Sequence, residues 1–317
     1  MTRPVFTTAL ATYGQTQPLK DGRVTPRSFD FAFEEVPVII KAFRRMVRGL
    51  DFDIAEMAIT TYLTARAHGK AFTAIPVFPM RAFHHGAILY NTTAGIHMPR
   101  DLEGRRVGVN RGYTVTTGLW ARSILQHEYG VDLRNITWVL SGDEHVAEFQ
   151  PPANVVSIEP GQTLEAMLAS GEIPAAIGLK LDAPLPNVKP LIGNARDLAL
   201  DHLRNGGLWP INHTVVVKND TLERYPDLAR DLFAAFVEAK QIYVDQLHAA
   251  QAAQTVAPAD DTYARVMAIT GDPLPYGIEP NRRVLEAIIQ YSVEQGILPQ
   301  APAVDEVFAA STRHLAG

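Results

Sequence analysis

Short apolar runs alternate along this chain with longer stretches whose apolar residues recur every three or four positions. Val5 to Thr12 reads as a first strand. Glu34 to Val47 reads as a helix, with Val36, Ile39, Ile40, Phe43 and Val47 at helical spacing. Pro37 falls in its first turn, where a missing N–H is not missed. Leu50 to Asp53 then predicts a short strand and Glu56 to His68 a second helix, while Thr73 to Phe78 and Gly86 to Asn91 are apolar runs of strand length. After the polar stretch Thr92 to Pro99 the pattern restarts. Arg106 to Val109 reads as strand, Thr114 to Tyr129 as helix and Ile136 to Leu140 as strand, followed by a helix over Gln162 to Ser170 and a strand over Ala175 to Ile177. His213 to Lys218 is a further strand, and Pro226 to His248 and Asn281 to Gln295 are amphipathic helices. Such alternation predicts an α/β fold with crossover helices.

At 317 residues the chain is about twice the usual domain length, so two domains are expected. The Thr92 to Pro99 stretch and the return near Pro210, after the Pro-rich Pro184 to Pro190 and the glycines Gly206 and Gly207, mark two crossings. Residues 1–95 and 212–317 are therefore expected to form a discontinuous first lobe and 96–211 an inserted second lobe. Each lobe is expected to be a mixed, mostly parallel sheet flanked by helices, with a ligand cleft between them.

A hydrophobic fraction of 47% and a charged fraction of 20% are those of a soluble globular protein. The net charge of −5 provides no field for nucleic acid or an anionic membrane surface, so the expected partner is a small molecule. Arginine supplies 22 of the 29 basic residues, which suits bidentate capture of a carboxylate. No cysteine is present for a disulfide or a thiol nucleophile. No apolar run reaches membrane-spanning length, and the opening MTRPVFTTALATYG lacks the apolar stretch of a secretory signal. The expectation is a cytoplasmic protein, with self-association left open.

Chemistry concentrates at predicted strand ends. Gly108-Val-Asn-Arg-Gly-Tyr-Thr-Val-Thr-Thr-Gly118 joins a strand to a helix whose first turn is rich in hydroxyls, and unpaired N–H groups there favour an anion. Arg111 can add a guanidinium fork, with Gly112, Tyr113, Thr114, Thr116 and Thr117 around it; ordinary N-capping is the alternative. Arg81-Ala-Phe-His-His-Gly86 places an arginine beside two imidazoles, His84 and His85, suited to proton transfer near a carboxylate. Asp143-Glu-His145 offers Glu144 and His145, and Glu56 and His213 stand at other predicted element starts. No Walker loop, dinucleotide fingerprint, zinc motif or nucleophile elbow occurs, and no metal site is expected.

PVIIKAFRRMVRGLDFDIAEM, FTAIPVFPMRAFHHGAILYN, DLEGRRVGVNRGYTVTTGLWARSIL and ITWVLSGDEHV resemble the 4,5-dihydroxyphthalate decarboxylase family over roughly residues 5 to 220. That resemblance implies the fold of type 2 periplasmic binding proteins. It also implies loss of CO2 from a hydroxylated aromatic dicarboxylate without an organic cofactor, by protonation of the ring carbon that bears the leaving carboxylate. Such chemistry needs an anion clamp, assigned to Arg111, its turn and Arg81, with His213 as a further substrate contact. The acid and base are expected among His84 and His85, then Glu56, Glu144 and His145. A non-catalytic solute binder and another cyclic-carboxylate enzyme on the same fold are the alternatives.

Overall fold

The computed structural model describes residues 3–317, which form two compact units. The first holds the chain up to Arg81, Gly206–Ala287 and Pro302–Gly317; the second holds Ala82–Asn205 and Ile288–Ala301.

In the first unit, strands β1 (Val5–Ala9), β2 (Asp30–Phe33), β3 (Ile54–Ala58) and β4 (Phe72–Arg81) share a sheet with the late strand that returns at Ile211–Lys218. That late strand, β11, lies between β3 and β4 and runs antiparallel to both, while β1 pairs with β2 and β3 in parallel; the order is β2-β1-β3-β11-β4. Every residue of β3 is buried, so its one carboxylate, Glu56, must find partners inside the protein.

The helix Ile39–Gly49 buries Ala42, Phe43, Met46 and Val47, one apolar stripe facing the sheet. It ends where Leu50 takes a left-handed conformation, φ 51°, and returns its N–H to the Met46 carbonyl at 3.1 Å. Phe43 packs edge-on against His213, ring centroids 5.0 Å apart, and so helps to fix that imidazole.

In the second unit, β5 (Ile88–Asn91), β6 (Arg106–Val109), β7 (Thr137–Leu140), β8 (Val155–Ser157), β9 (Ala175–Ile177) and β10 (Val188–Pro190) take the order β10-β5-β9-β6-β7-β8. The four strands β9, β6, β7 and β8 are parallel; β5 joins them at one side antiparallel to β9, and β10 pairs antiparallel with β5 at the edge. Beneath β6 and β9 lies a core of Leu164, Met167, Leu168, Ile173 and Ala176. Gly108 is required by that packing: a Cβ there would stand 2.7 Å from Leu164 Cδ2 and 2.9 Å from Ile173 Cδ1.

Several elements differ from the sequence-based expectation. The first unit ends at Arg81, not near residue 95, because the strand after it, β5, pairs with β9 and β10 in the second sheet. Residues Ile288–Ala301 belong to the second unit, where Gln295 binds the Arg122 guanidinium at 2.8 Å; the division falls inside the helix Arg282–Glu294. The helix expected from Glu56 starts at Ile59, and Glu56 itself is in β3. Part of the Pro-rich stretch forms β10, which Pro190 can end because it lies at the sheet edge.

Candidate active site

In the first unit, the neighbouring strands β3 and β11 and the segment that follows β1 bring Glu56, His213 and Tyr13 together. Glu56 has no exposed surface, and its carboxylate is fully engaged. Oε2 accepts the Ala11 N–H at 2.9 Å; Oε1 accepts the Tyr13 hydroxyl at 2.8 Å and faces His213 Nδ1 at 2.5 Å. A carboxylate in that position holds a proton on Nδ1, and Nε2, which makes no hydrogen bond among the described residues, is left to deliver or take up a proton. The ring is 14% exposed, enough for a ligand to reach it. Burial, followed by the Glu56 charge, raises the Tyr13 pKa far above its ordinary value, so Tyr13 stays a neutral donor.

Arg81 stands in the same unit, at the end of β4, but its fork is used internally. Nη1 donates to the Trp209 carbonyl at 2.8 Å, and Nη2 donates to the Pro275 carbonyl at 3.2 Å and to Asn281 Oδ1. Burial pushes its pKa down to about 10, which still leaves a cation at neutral pH. Holding three chain segments in place is its structural work, and only Nε lacks a partner. The sequence assigned Arg81 to the substrate clamp; the carbonyl contacts assign it to the scaffold.

In the second unit, the carboxyl ends of β6, β7 and β9 carry Asn110 and Arg111, Ser141, and Gly178. In open α/β sheets these ends are where ligands are held. Asn110 Nδ2 donates to the Gly178 carbonyl at 2.9 Å, and Ser141 Oγ accepts the Arg111 N–H at 2.8 Å. Arg111 has φ 72°, a left-handed conformation that residues other than glycine adopt uncommonly and at some cost. Its guanidinium has neither hydrogen bond nor ion pair among the described residues, and burial lowers its pKa. A half-buried cation without a counter-ion is a place for an anion. Thr117, near Gly178, is partly exposed in the first turn of the helix Thr116–His127, which no side chain caps.

The other expected residues are placed differently. Tyr113 and Thr114 do form a nest of N–H donors, with Gly112 leaving room for the acceptor, but the Glu144 carboxylate fills it: Oε1 accepts from Tyr113 N–H, and Oε2 accepts from Thr114 N–H at 3.2 Å and from its hydroxyl at 2.5 Å. Thr116 is buried in the first helical turn, and Val115, with no polar side chain, is the N-cap. His85 is buried with Nε2 2.9 Å from Glu128, the residue that ends the same helix, about 16 Å along the axis from Thr117. His84 and His145 are both buried. Among the described residues no group of three or more His, Cys, Asp or Glu is placed to hold a metal ion.

Arg122 was not singled out from the sequence. It has no exposed surface, stacks 3.9 Å from the centroid of Tyr113 and donates from Nη2 to the Tyr113 carbonyl at 2.8 Å. An arginine between Leu119 and Leu125 on an apolar helical stripe was the available signal.

No protein-family model matches the chain. A curated 4,5-dihydroxyphthalate decarboxylase of Comamonas testosteroni is 29% identical, over 97% of this chain and 97% of that protein. Another, of Pseudomonas putida, is 34% identical over 181 residues, 54% of this chain and 68% of that protein. Among solved structures, the periplasmic aliphatic sulphonate binding protein SsuA of Escherichia coli aligns with a TM-score of 0.56 at 15% identity, over 97% of this chain and 92% of that one. The desulfurization enzyme DSZB aligns with a TM-score of 0.52 at 15% identity, over 97% and 96%. The fold is thus the one used by periplasmic solute-binding proteins, as the sequence predicts. No helix of the described residues is long and apolar enough to cross a membrane.

Proposed function

This chain belongs to the 4,5-dihydroxyphthalate decarboxylase family, and we propose that it converts 4,5-dihydroxyphthalate to protocatechuate and CO2, with His213 as the proton carrier and Arg111 as the anion holder. The observation that carries this assignment is the Glu56–His213 pair, an imidazole oriented by a buried carboxylate with its second nitrogen left available.

The chemistry must avoid a bare aryl anion. The phenol oxygen para to the leaving carboxylate pushes electrons into the ring, and a proton is added at the carbon that bears that carboxylate. The C–C bond then breaks, its electron pair restores the aromatic ring, and CO2 leaves. One proton is consumed and one ring C–H is made. His213, protonated on both nitrogens, delivers that proton from Nε2, and the Glu56 carboxylate stabilises the imidazolium before the transfer. Tyr13 and the Ala11 N–H keep Glu56 from rotating away. The spectator carboxylate pairs with the Arg111 guanidinium, where each charge-assisted hydrogen bond contributes roughly 1.5–3 kcal/mol. The protein acts without an organic cofactor, in the cytoplasm, on a small aromatic di-acid.

Chelator-treated protein mixed with 4,5-dihydroxyphthalate tests this directly. Release of CO2 and protocatechuate is the expected result. Saturable binding without turnover would identify a solute-binding protein instead.

A further inference from the structure

The donors that the sequence marks as an anion site are occupied by an anion of the chain itself. Glu144, which follows β7, takes the N–H of Tyr113 and both the N–H and the hydroxyl of Thr114. From the other side, the buried Arg122 guanidinium takes the Tyr113 carbonyl at 2.8 Å and covers its ring. Both backbone polar groups of Tyr113 are therefore held by side chains of opposite charge. Two residues earlier, the Arg111 N–H is held by Ser141 at 2.8 Å, so two residues that follow β7, Ser141 and Glu144, bind the turn at both ends. Gly112, inside the turn, leaves the carboxylate its space: a Cβ there would stand 2.6 Å from Glu144 Oε2 and 2.7 Å from Oε1.

We propose that Glu144 is a positioning residue for substrate binding: a built-in carboxylate that fills the Tyr113–Thr114 amide nest and thereby sets the left-handed Arg111 in its binding geometry. It donates no proton to the reaction. The claim rests on the reading of Arg111 as the anion holder, and it predicts that loss of Glu144 is felt in KM and not in kcat. A nest emptied of Glu144 is also a receptor for a small carboxylate, because backbone N–H groups deprived of a carboxylate acceptor retain their preference for one.

The test uses Glu144→Gln, Glu144→Asp and Glu144→Ala in the full chain, with formate as the probe. Glu144→Gln, which turns an amide NH2 toward N–H donors, is expected to raise KM about tenfold or more with kcat within about threefold of wild type, and Glu144→Asp to recover part of that loss. Formate is expected to lower the KM of Glu144→Ala and to raise its thermal midpoint, and to raise the midpoint of the wild type far less. Gly112→Ala is expected to reproduce the KM defect with every charge retained. A kcat loss at unchanged KM in Glu144→Gln would make Glu144 a proton donor or acceptor and overturn the proposal. So would formate that affects Glu144→Ala no more than wild type. If the wild type neither binds nor turns over the di-acid, the functional reading falls, and the formate-dependent midpoint of Glu144→Ala alone still decides whether the nest is an anion receptor.

Discussion

Glu56 and His213 stand on antiparallel neighbours, diagonally across the ladder: Val215 is the register partner of Glu56, and His213, two positions before it on β11, projects from the same face. The 2.5 Å contact between carboxylate and imidazole is thus a product of strand register. A slip of one residue would turn His213 to the opposite face.

The first prediction concerns that imidazole. His213→Gln is expected to slow the chemical step by about 10²–10⁴-fold and to leave the dissociation constant for a phthalate-type ligand largely unchanged. Single-turnover assays beside calorimetry separate the two quantities. Near wild-type turnover in His213→Gln would move the proton to another group.

Glu56→Gln removes the counter-charge but keeps the side chain's volume. Turnover is expected to fall by a similar factor, and the double variant Glu56→Gln, His213→Gln to be little worse than either single one, since the two residues act as a unit. Multiplicative losses in the cycle would show that they act independently.

Arg111→Gly is the clean removal of the clamp, because glycine adopts φ 72° without strain. Ligand affinity is expected to fall about a hundredfold or more, in keeping with two lost charge-assisted hydrogen bonds. The urea midpoint should stay within error or rise. Arg45→Ala is the control, because Arg45 lies on the surface and is paired with Glu34 and with Asp51. Its effect on affinity should be nil.

Arg81→Lys is expected to do the reverse. A lysine ammonium cannot reach the Trp209 and Pro275 carbonyls and Asn281 together, so a buried network loses partners. Stability should drop by about 3 kcal/mol or more, read as a lower urea midpoint. Ligand affinity of the folded fraction should change little.

Alkaline pH should weaken the fold. Tyr13, Tyr243, Tyr263 and Tyr276 all have pKa values raised above 10.0, with burial the largest cause in each. A group whose pKa is higher folded than unfolded binds more protons when folded, so its contribution is whole below pH 10 and is lost as the pH climbs past it. Arg81, shifted downward, opposes this trend, against five tyrosines of the first unit shifted upward, Tyr62 among them. Urea midpoints measured from pH 9 to pH 11 are expected to fall steadily.

The sequence patterns carried the alternation of strands and helices, and with it the fold. They could not separate β3 from the helix after it, because Ile54-Ala-Glu-Met-Ala58 is buried on both faces and runs into Ile59 without a turn residue. Period-based reading has nothing to act on in such a run. The three-residue strands β8 and β10 are too short to show any period. Arg111 was legible as a charged residue at an element end, and Glu56 as a carboxylate in an apolar run, expected at a helix start and found in the middle of β3. The pairing of Glu144 with Tyr113 and Thr114 was not, since it joins residues thirty positions apart through a loop. The adjacency of His84 and His85 drew the proton-transfer assignment, although adjacency in sequence says nothing about what a side chain faces. Each of His85 and His213 faces a carboxylate, Glu128 and Glu56 respectively, and neither partner is near it in sequence.

The place of β11 also dictates an order of events. It is the second strand from one edge of its sheet, yet it leaves the ribosome after all six strands of the other sheet. Until residues Ile211–Lys218 emerge, β3 and β4 have no common neighbour and Glu56 is a carboxylate without its imidazole. Such late, long-range closure is slow, because about half the chain separates β3 from β11 and about two-fifths separates β4 from it. A nascent chain arrested near residue 205 would expose the edges of β3 and β4 to other chains, so the interval before β11 arrives is when this protein is most open to misassembly.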